Sequence, residues 1–168
     1  MASDSKSDGI QVLTYIRRNP ALTREQFYEH WEKVHGPKVI PWIEKHGLKR
    51  YQQIHVSGGI VPSAATSSAP NASSQQELPK EPVEFDGIAM FTTPALKQWT
   101  KAFEDPYFLD VIRPDEVTMI DTKGIGGGIV ASFNGKVLDM VIDGKNASGA
   151  AGDKYRKAYE EYRKSEAI

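Results

Sequence analysis

Residues 22–42 read LTREQFYEHWEKVHGPKVIPW, and the parsing of this stretch decides the fold. Thr23 followed three residues later by Gln26 is a capping box. Leu22 before it and Phe27 behind it form a hydrophobic staple, so a helix is expected to start here. Phe27, Trp31, Val34 and His35 recur on one helical face while Arg24, Glu25, Glu29, Glu32 and Lys33 occupy the rest, which turns that face inward and carries His35 with it. Gly36 reads as the end of this helix. Pro37 then reads as the first residue of a second helix running to about His46, with Val39, Ile40 and Ile43 inward and Gly47 as its stop.

Working outward, residues 10–16 (IQVLTYI) form a β-rich run before the helices, and residues 48–56 (LKRYQQIHV) form another after them. Alternation in the second run puts Tyr51, Gln53 and His55 on one face and Leu48, Ile54 and Val56 on the other. Residues 57–82 are dominated by Ser, Ala, Pro, Gly and Gln and are expected to be a flexible loop inserted within the domain, because so little apolar surface cannot offset ordering entropy. Residues 84–92 (EFDGIAMFT) resume as a strand apolar on both faces, as a central strand would be. Thr93-Pro94 is expected to cap a helix carrying Leu96, Trp99 and Phe103. Asp105-Pro106 opens a second helical turn with Tyr107, Phe108, Val111 and Ile112 that ends at Pro114.

Val117–Ile120 reads as a further strand, and residues 129–133 and 136–142 flank Asn134-Gly135 as a hairpin. Residues 153–166 form a charged helix with Tyr155, Tyr159 and Tyr162 in a narrow stripe, either an arm on a neighbouring subunit or a frayed end. The order is β-α-β-β-α-β, an α+β fold of the ferredoxin-like split type with an added C-terminal hairpin and helix. Helices cover one face of such a sheet and leave the other bare, so a homodimer pairing sheet on sheet is expected. The domain is placed at residues 10–142, between a disordered N-terminus (1–9) and a helical tail (143–168).

Composition narrows the function. The 168 residues carry 21 Lys+Arg against 22 Asp+Glu, a net charge of −1, which gives no field for holding nucleic acid or an anionic membrane. No cysteine is present, so disulfides, thiolate nucleophiles and cysteine-ligated metals are excluded. With no apolar run long enough to span a bilayer and no secretion signal, a cytoplasmic location is expected.

The chemistry must come from histidine, tyrosine and carboxylates. His30 and His46 fall on polar flanks. His35 rides the apolar face at a helix end, either as a buried structural group or as an acid–base group, and His55 shares a strand face with Tyr51. Two imidazoles in one aromatic-lined cleft would supply acid–base catalysis with no cofactor. No metal is expected, since His30 and His35 are five residues apart and do not share a helical face. Residues 124–128 (GIGGG) lack the Lys-Ser/Thr of a phosphate loop and precede a strand, so they read as a turn. Among the carboxylates, Asp86 sits inside an apolar strand, where a charge is costly unless paired or poised at a cleft, and Asp115-Glu116 follow Pro114.

The Phe–Trp–His–Gly-Pro pattern of residues 22–42 resembles the opening motif of the EthD family of small ferredoxin-like proteins that dimerise into α+β barrels. The likeness extends through residues 50–55 (RYQQIH), Asp86-Gly87, residues 105–108 (DPYF) and residues 113–116 (RPDE). This fuller set is similar to the EthD-type decarboxylases of fungal polyketide clusters. The resemblance implies a cofactor-independent lyase that decarboxylates an aromatic polyketide acid in secondary metabolism. On that reading His35 would be the proton donor, His55 with Tyr51 would polarise a hydroxyl or carbonyl, and Asp86 and, less centrally, Asp115 would be orienting carboxylates. Tyr15, Trp42, Phe91, Tyr107 and Phe108 would be flat walls binding the small aromatic polyketide substrate. A cofactor-free anthrone oxygenase, a dehydratase/cyclase and a non-catalytic polyketide-binding protein are the alternatives.

Overall fold

The computed structural model describes residues 9–60 and 81–166. The N-terminal segment 1–8 and most of the expected loop, 61–80, lie outside the described residues. Two compact units emerge, one of residues 9–135 and the other containing residues 136–166, so the main domain ends before residue 142.

The larger unit begins with β1 (Ile10–Ile16), as the β-rich run requires. Thr23 caps α1 (Arg24–His30) with the complete capping box: its side chain accepts from the Gln26 backbone N–H, and the Gln26 side chain accepts from the Thr23 backbone N–H. The helix does not stop at Gly36. A π-helical turn, Trp31–His35, joins α1 directly to α2 (Gly36–Lys45), and Gly36 keeps a right-handed helical backbone. A proline ring crowds the carbonyl four residues back and offers no N–H, and the wider turn absorbs this, with Gly36 N–H reaching the Trp31 carbonyl. Gly47, at φ +62°, stops α2 as expected, but Ile40 is half exposed and Trp42 is buried in its place.

The same device recurs later. A π-helical turn at Phe108–Ile112 carries the chain through Arg113-Pro114 into α4 (Arg113–Met119). The expected strand at Val117–Ile120 is therefore mostly helix. Pro114 at the start, with Asp115 and Glu116 in the first turn, is a favourable helix opening, and Ile120, just past the helix, forms an isolated bridge to Arg18.

β2 (Arg50–Ile54) follows α2, then the short pair β3 (Gly58–Ile60) and β4 (Val83–Phe85), which close the inserted segment at its base. The expected central strand is thus split at Asp86, and its second half is β5 (Gly87–Thr93). α3 (Leu96–Ala102) starts after Ala95. Thr93 bonds the Ala95 carbonyl instead of capping the helix. β6 (Ile129–Lys136) runs straight through Asn134-Gly135, so no hairpin forms there. The hairpin lies one turn later, between β7 (Val141–Ile142) and β8 (Lys145–Asn146), where Asp143 and Gly144 both take the positive φ that a tight hairpin turn demands. α5 (Ala150–Glu166) completes the smaller unit with Tyr155, Tyr159 and Tyr162 exposed.

The main sheet has the order β2-β5-β1-β6, with β5 antiparallel to both β1 and β2, which is the ferredoxin-like arrangement. Register pairs Val12 with Phe91, Thr14 with Ala89 and Tyr51 with Phe91, which brings these side chains to one face. The helices cover it in two clusters. One gathers Val39, Trp42, Ile43, Leu48, Ala102, Phe108 and Ile112, and the other Ile16, Phe27, Trp31, Ala89 and Met119. Full burial of an aromatic such as Phe27 or Trp31 contributes about 2–3 kcal/mol. Gly87 makes the second cluster possible, since a Cβ there would come within 2.5 Å of the Trp31 ring. Among the described residues no helix is long and apolar enough to cross a membrane.

Candidate active site

Tyr51 and Phe91 stack at 4.8 Å and touch both clusters, and between those clusters lies a cavity of about 500 Å³. Its walls are largely aromatic. Trp31 and Trp42 come from the first helical segment, Tyr51 and Phe91 from the sheet, and Trp99 and Phe103 from α3 and its C-terminal end. Against this apolar background four polar groups matter: His35, Tyr51, Glu116 and Arg113.

His35 reaches the cavity because Phe27, Trp31 and His35 follow one another at four-residue spacing, and the π turn keeps that line facing inward. The imidazole is buried, and its Nδ1 lies 2.9 Å from Oδ2 of Asp115 in the first turn of α4. The other oxygen of Asp115 takes His30 Nε2 at 3.1 Å and Lys38 Nζ at 2.7 Å. Burial alone would raise the Asp115 carboxyl, but the hydrogen bonds from Lys38, His35 and His30 outweigh it and hold it below the usual aspartate value. An ionised carboxylate only accepts, so Nδ1 of His35 carries the proton and Nε2 is the free nitrogen. Burial also pushes the His35 pKa below its ordinary value, against the pull of Asp115, so the ring is a neutral base at neutral pH.

Tyr51 is also oriented. Its oxygen accepts from Trp31 Nε1 at 3.2 Å and from Gln53 Nε2 at 2.9 Å, which leaves its own O–H to donate to whatever occupies the cavity. Burial raises its pKa despite these two bonds, so it stays a phenol.

Glu116, which the sequence shows beside Asp115 with no role of its own, is another of the four polar groups. Its carboxyl lines the cavity and makes no hydrogen bond or ion pair with any described residue. Burial drives its pKa up to about 7, only partly opposed by Arg113 and reinforced by Asp115. It can therefore hold a proton near neutrality and give it up. The signal that finds it is helical phase: once residues 113–119 are read as helix, Glu116 falls four residues after Ile112 and three before Met119, on the buried stripe.

The sequence-derived candidates separate clearly. His35, Tyr51, Trp42, Phe91 and Phe108 line the cavity, and Asp115 lies directly behind His35. His55 does not share the hollow. It is exposed, stacked on Tyr28 at 4.6 Å and against Trp31 at 5.4 Å, with Nε2 3.2 Å from Gln53 Oε1. Alternation extended to His55 puts it on the right face, but β2 ends at Ile54 and the ring sits outside the Trp31 wall. Asp86 orients no histidine. It is buried at the β4–β5 break, where the Arg18 backbone N–H (3.1 Å) and the Arg18 and Arg24 guanidinium groups (3.3 and 3.2 Å) satisfy it. Tyr15 lies on the opposite face of the sheet, edge-on to Phe85 and Phe133. Tyr107 packs outside the cavity and donates its hydroxyl to the Lys38 carbonyl at 3.0 Å. Among the described residues no three His, Asp or Glu side chains group as metal ligands would.

Sequence comparison bears on this geometry. The EthD domain model matches residues 19–123, more than half of the chain, and the protein belongs to the EthD domain family. The dehydratase aurZ of Gibberella zeae is 29% identical over 106 residues, covering 63% of this chain and 65% of that relative, a little under two thirds of its length. The conidial pigment biosynthesis dehydratase EthD of Metarhizium robertsii is 26% identical over 125 residues, covering 72% and 83%. Among solved structures, an EthD-like protein from Ralstonia eutropha aligns over 80% of this chain and 97% of its own at 15% identity, with a TM-score of 0.48.

Proposed function

We propose that the protein is a dehydratase that removes water from a β-hydroxy carbonyl on a fused-ring polyketide, driving the ring towards aromaticity. The observation that carries this reading is the pairing, in one aromatic cavity, of a neutral imidazole held by Asp115 with an unpaired carboxyl whose pKa is about 7. The decarboxylation expected from the sequence resemblance gives way, because the relatives are named dehydratases, one of them in conidial pigment biosynthesis.

In this scheme Nε2 of His35 takes the proton α to the carbonyl, and the electron pair moves towards the carbonyl oxygen, which accepts the Tyr51 O–H. The pair then returns to form the C=C bond as the β C–O bond breaks, and Glu116 gives its proton to the leaving hydroxyl, which departs as water. Imidazolium and carboxylate remain, and one proton transfer from His35 to Glu116 restores the starting state. Trp31, Trp42 and Phe91 stack on the rings and exclude water. No cofactor takes part. A homodimer through the second face of the sheet belongs to the same reading, supported by the apolar Leu13, Tyr15, Ile88 and Met90 on that face.

A simple test uses a β-hydroxytetralone, which becomes a fluorescent naphthol on loss of water. Naphthol formation by the purified protein, lost in E116Q and H35A, is expected. Carbon dioxide release from a naphthoic acid with no naphthol formation from the tetralone would restore the decarboxylase. Tight binding of the tetralone without turnover would make the protein a carrier.

A further inference from the structure

A carboxylate beside an imidazole favours the imidazolium, because its negative charge draws a proton onto the ring. The stronger that pull, the smaller the share of the ring that is free to act as a base. At His35 the carboxylate is shared: Asp115 has a second and closer cationic partner, Lys38 Nζ at 2.7 Å, against 2.9 Å for His35 Nδ1. Lysine is charged throughout the working range, whereas imidazole need not be.

We propose that Lys38 supplies the counter-charge of Asp115 and thereby, together with burial of the ring, favours the neutral form of His35, which makes Lys38 a positioning residue for the reaction. This rests on the dehydratase reading for its consequence in turnover, but not for its effect on His35 itself. Lysine and imidazole are divided between the two carboxylate oxygens, so neither displaces the other: Lys38 and His30 bind Oδ1 and His35 binds Oδ2. Asp115 with Lys38 is then neutral overall, so the ammonium offsets part of the pull that the carboxylate exerts on a proton at His35. The backbone of Lys38 is held as well, since its carbonyl accepts the Tyr107 hydroxyl. That gives Tyr107, which lies outside the cavity, a role in keeping the ammonium in place.

The other ionisable groups around His35 do not replace Lys38. His30, on α1, shares Oδ1 at the longer distance of 3.1 Å. Glu116 and Arg113, on α4, line the cavity, and Tyr51, on the sheet, is a phenol.

The experiment is an NMR titration of His35, using ring-labelled histidine in the full-length protein, on wild type, K38M and K38R. In K38M the His35 midpoint should rise, by up to about one pH unit, as loss of the cation that shares Asp115 implies, and K38R should return it most of the way. Turnover of the tetralone near pH 6.5 should fall in K38M and recover in K38R. An unmoved His35 midpoint in K38M with intact folding overturns the proposal, whatever the activity. A shifted midpoint with no turnover in any variant upholds the proposal and overturns the dehydratase reading.

Discussion

Asp115 and Asp105 hold nearly the same set of partners. Asp105 binds Lys45 at 2.7 Å and His46 at 2.6 Å through one oxygen and takes the Tyr107 backbone N–H at 2.9 Å through the other. Asp115 binds Lys38, His30 and His35. Both are held below the ordinary aspartate pKa, Asp105 at about 2 by Lys45, the Tyr107 N–H and His46. The difference lies in what the imidazole faces. His46 sits at the C-terminal end of α2 outside the cavity, and its cluster ties that helix end to the turn opening at Pro106. His35 sits mid-helix, with its free nitrogen belonging to a ring that lines the aromatic cavity. The same Asp–His–Lys chemistry is a fastening in one place and, on the proposed function, a catalytic device in the other, and the adjoining cavity distinguishes them.

The largest effect expected is a contrast between the clusters. H35Q and D115N should lower turnover at least about a hundredfold, as loss of a general base does, while H46Q and D105N should leave it within about threefold and lower the melting temperature instead. Equal losses of activity in both clusters would break the distinction.

The next test is pH. Turnover should fall above about pH 7 as Glu116 loses its proton, and fall on the acid side as His35, whose pKa burial depresses, gains one. E116Q should abolish the alkaline limb along with most of the rate.

Glu116 should also be visible in stability. The folded group keeps its proton to about pH 7, whereas an unfolded glutamate releases it near 4.5, so the native state binds more protons across that window and stability falls as pH rises through it. E116Q should thus be more stable than wild type at pH 8, by on the order of 2 kcal/mol, with the difference shrinking towards pH 4 in chemical denaturation. The smallest effect belongs to His55: H55A removes an exposed ring stacked on Tyr28 and should change turnover by less than about threefold. A loss comparable to that of H35Q would return His55 to the machinery.

The extent to which the sequence could be read follows from the range of the interactions concerned. Thr23 and Gln26 satisfy each other within one turn, so the start of α1 is written locally. The alternation around Tyr51 likewise depends on nothing but the pleat. Gly36 and Pro114 misled in a similar way: each reads locally as a helix end, but each lies just past a π-helical turn that carries the chain on into the next helix, in which Pro37 takes the early position expected of it. Reading Pro114 as a stop hid the helix that presents Asp115 and Glu116 together. His55 misled in the opposite sense, since its strand parity is sound but the Trp31 ring, brought close by the absence of a side chain at Gly87, stands between that edge and the cavity.

The sequence by itself determined the α+β class, the capped first helix, the inward course of Phe27, Trp31 and His35, and the aromatic character of the walls, because periodicity and capping act over a few residues. Only the tertiary structure decided which carboxylates matter. Asp115 meets His35 across 80 positions of chain, and Asp86 meets Arg24 across 62. A carboxylate's charge state and role are set by the partners and the burial it finds there, which no local pattern encodes.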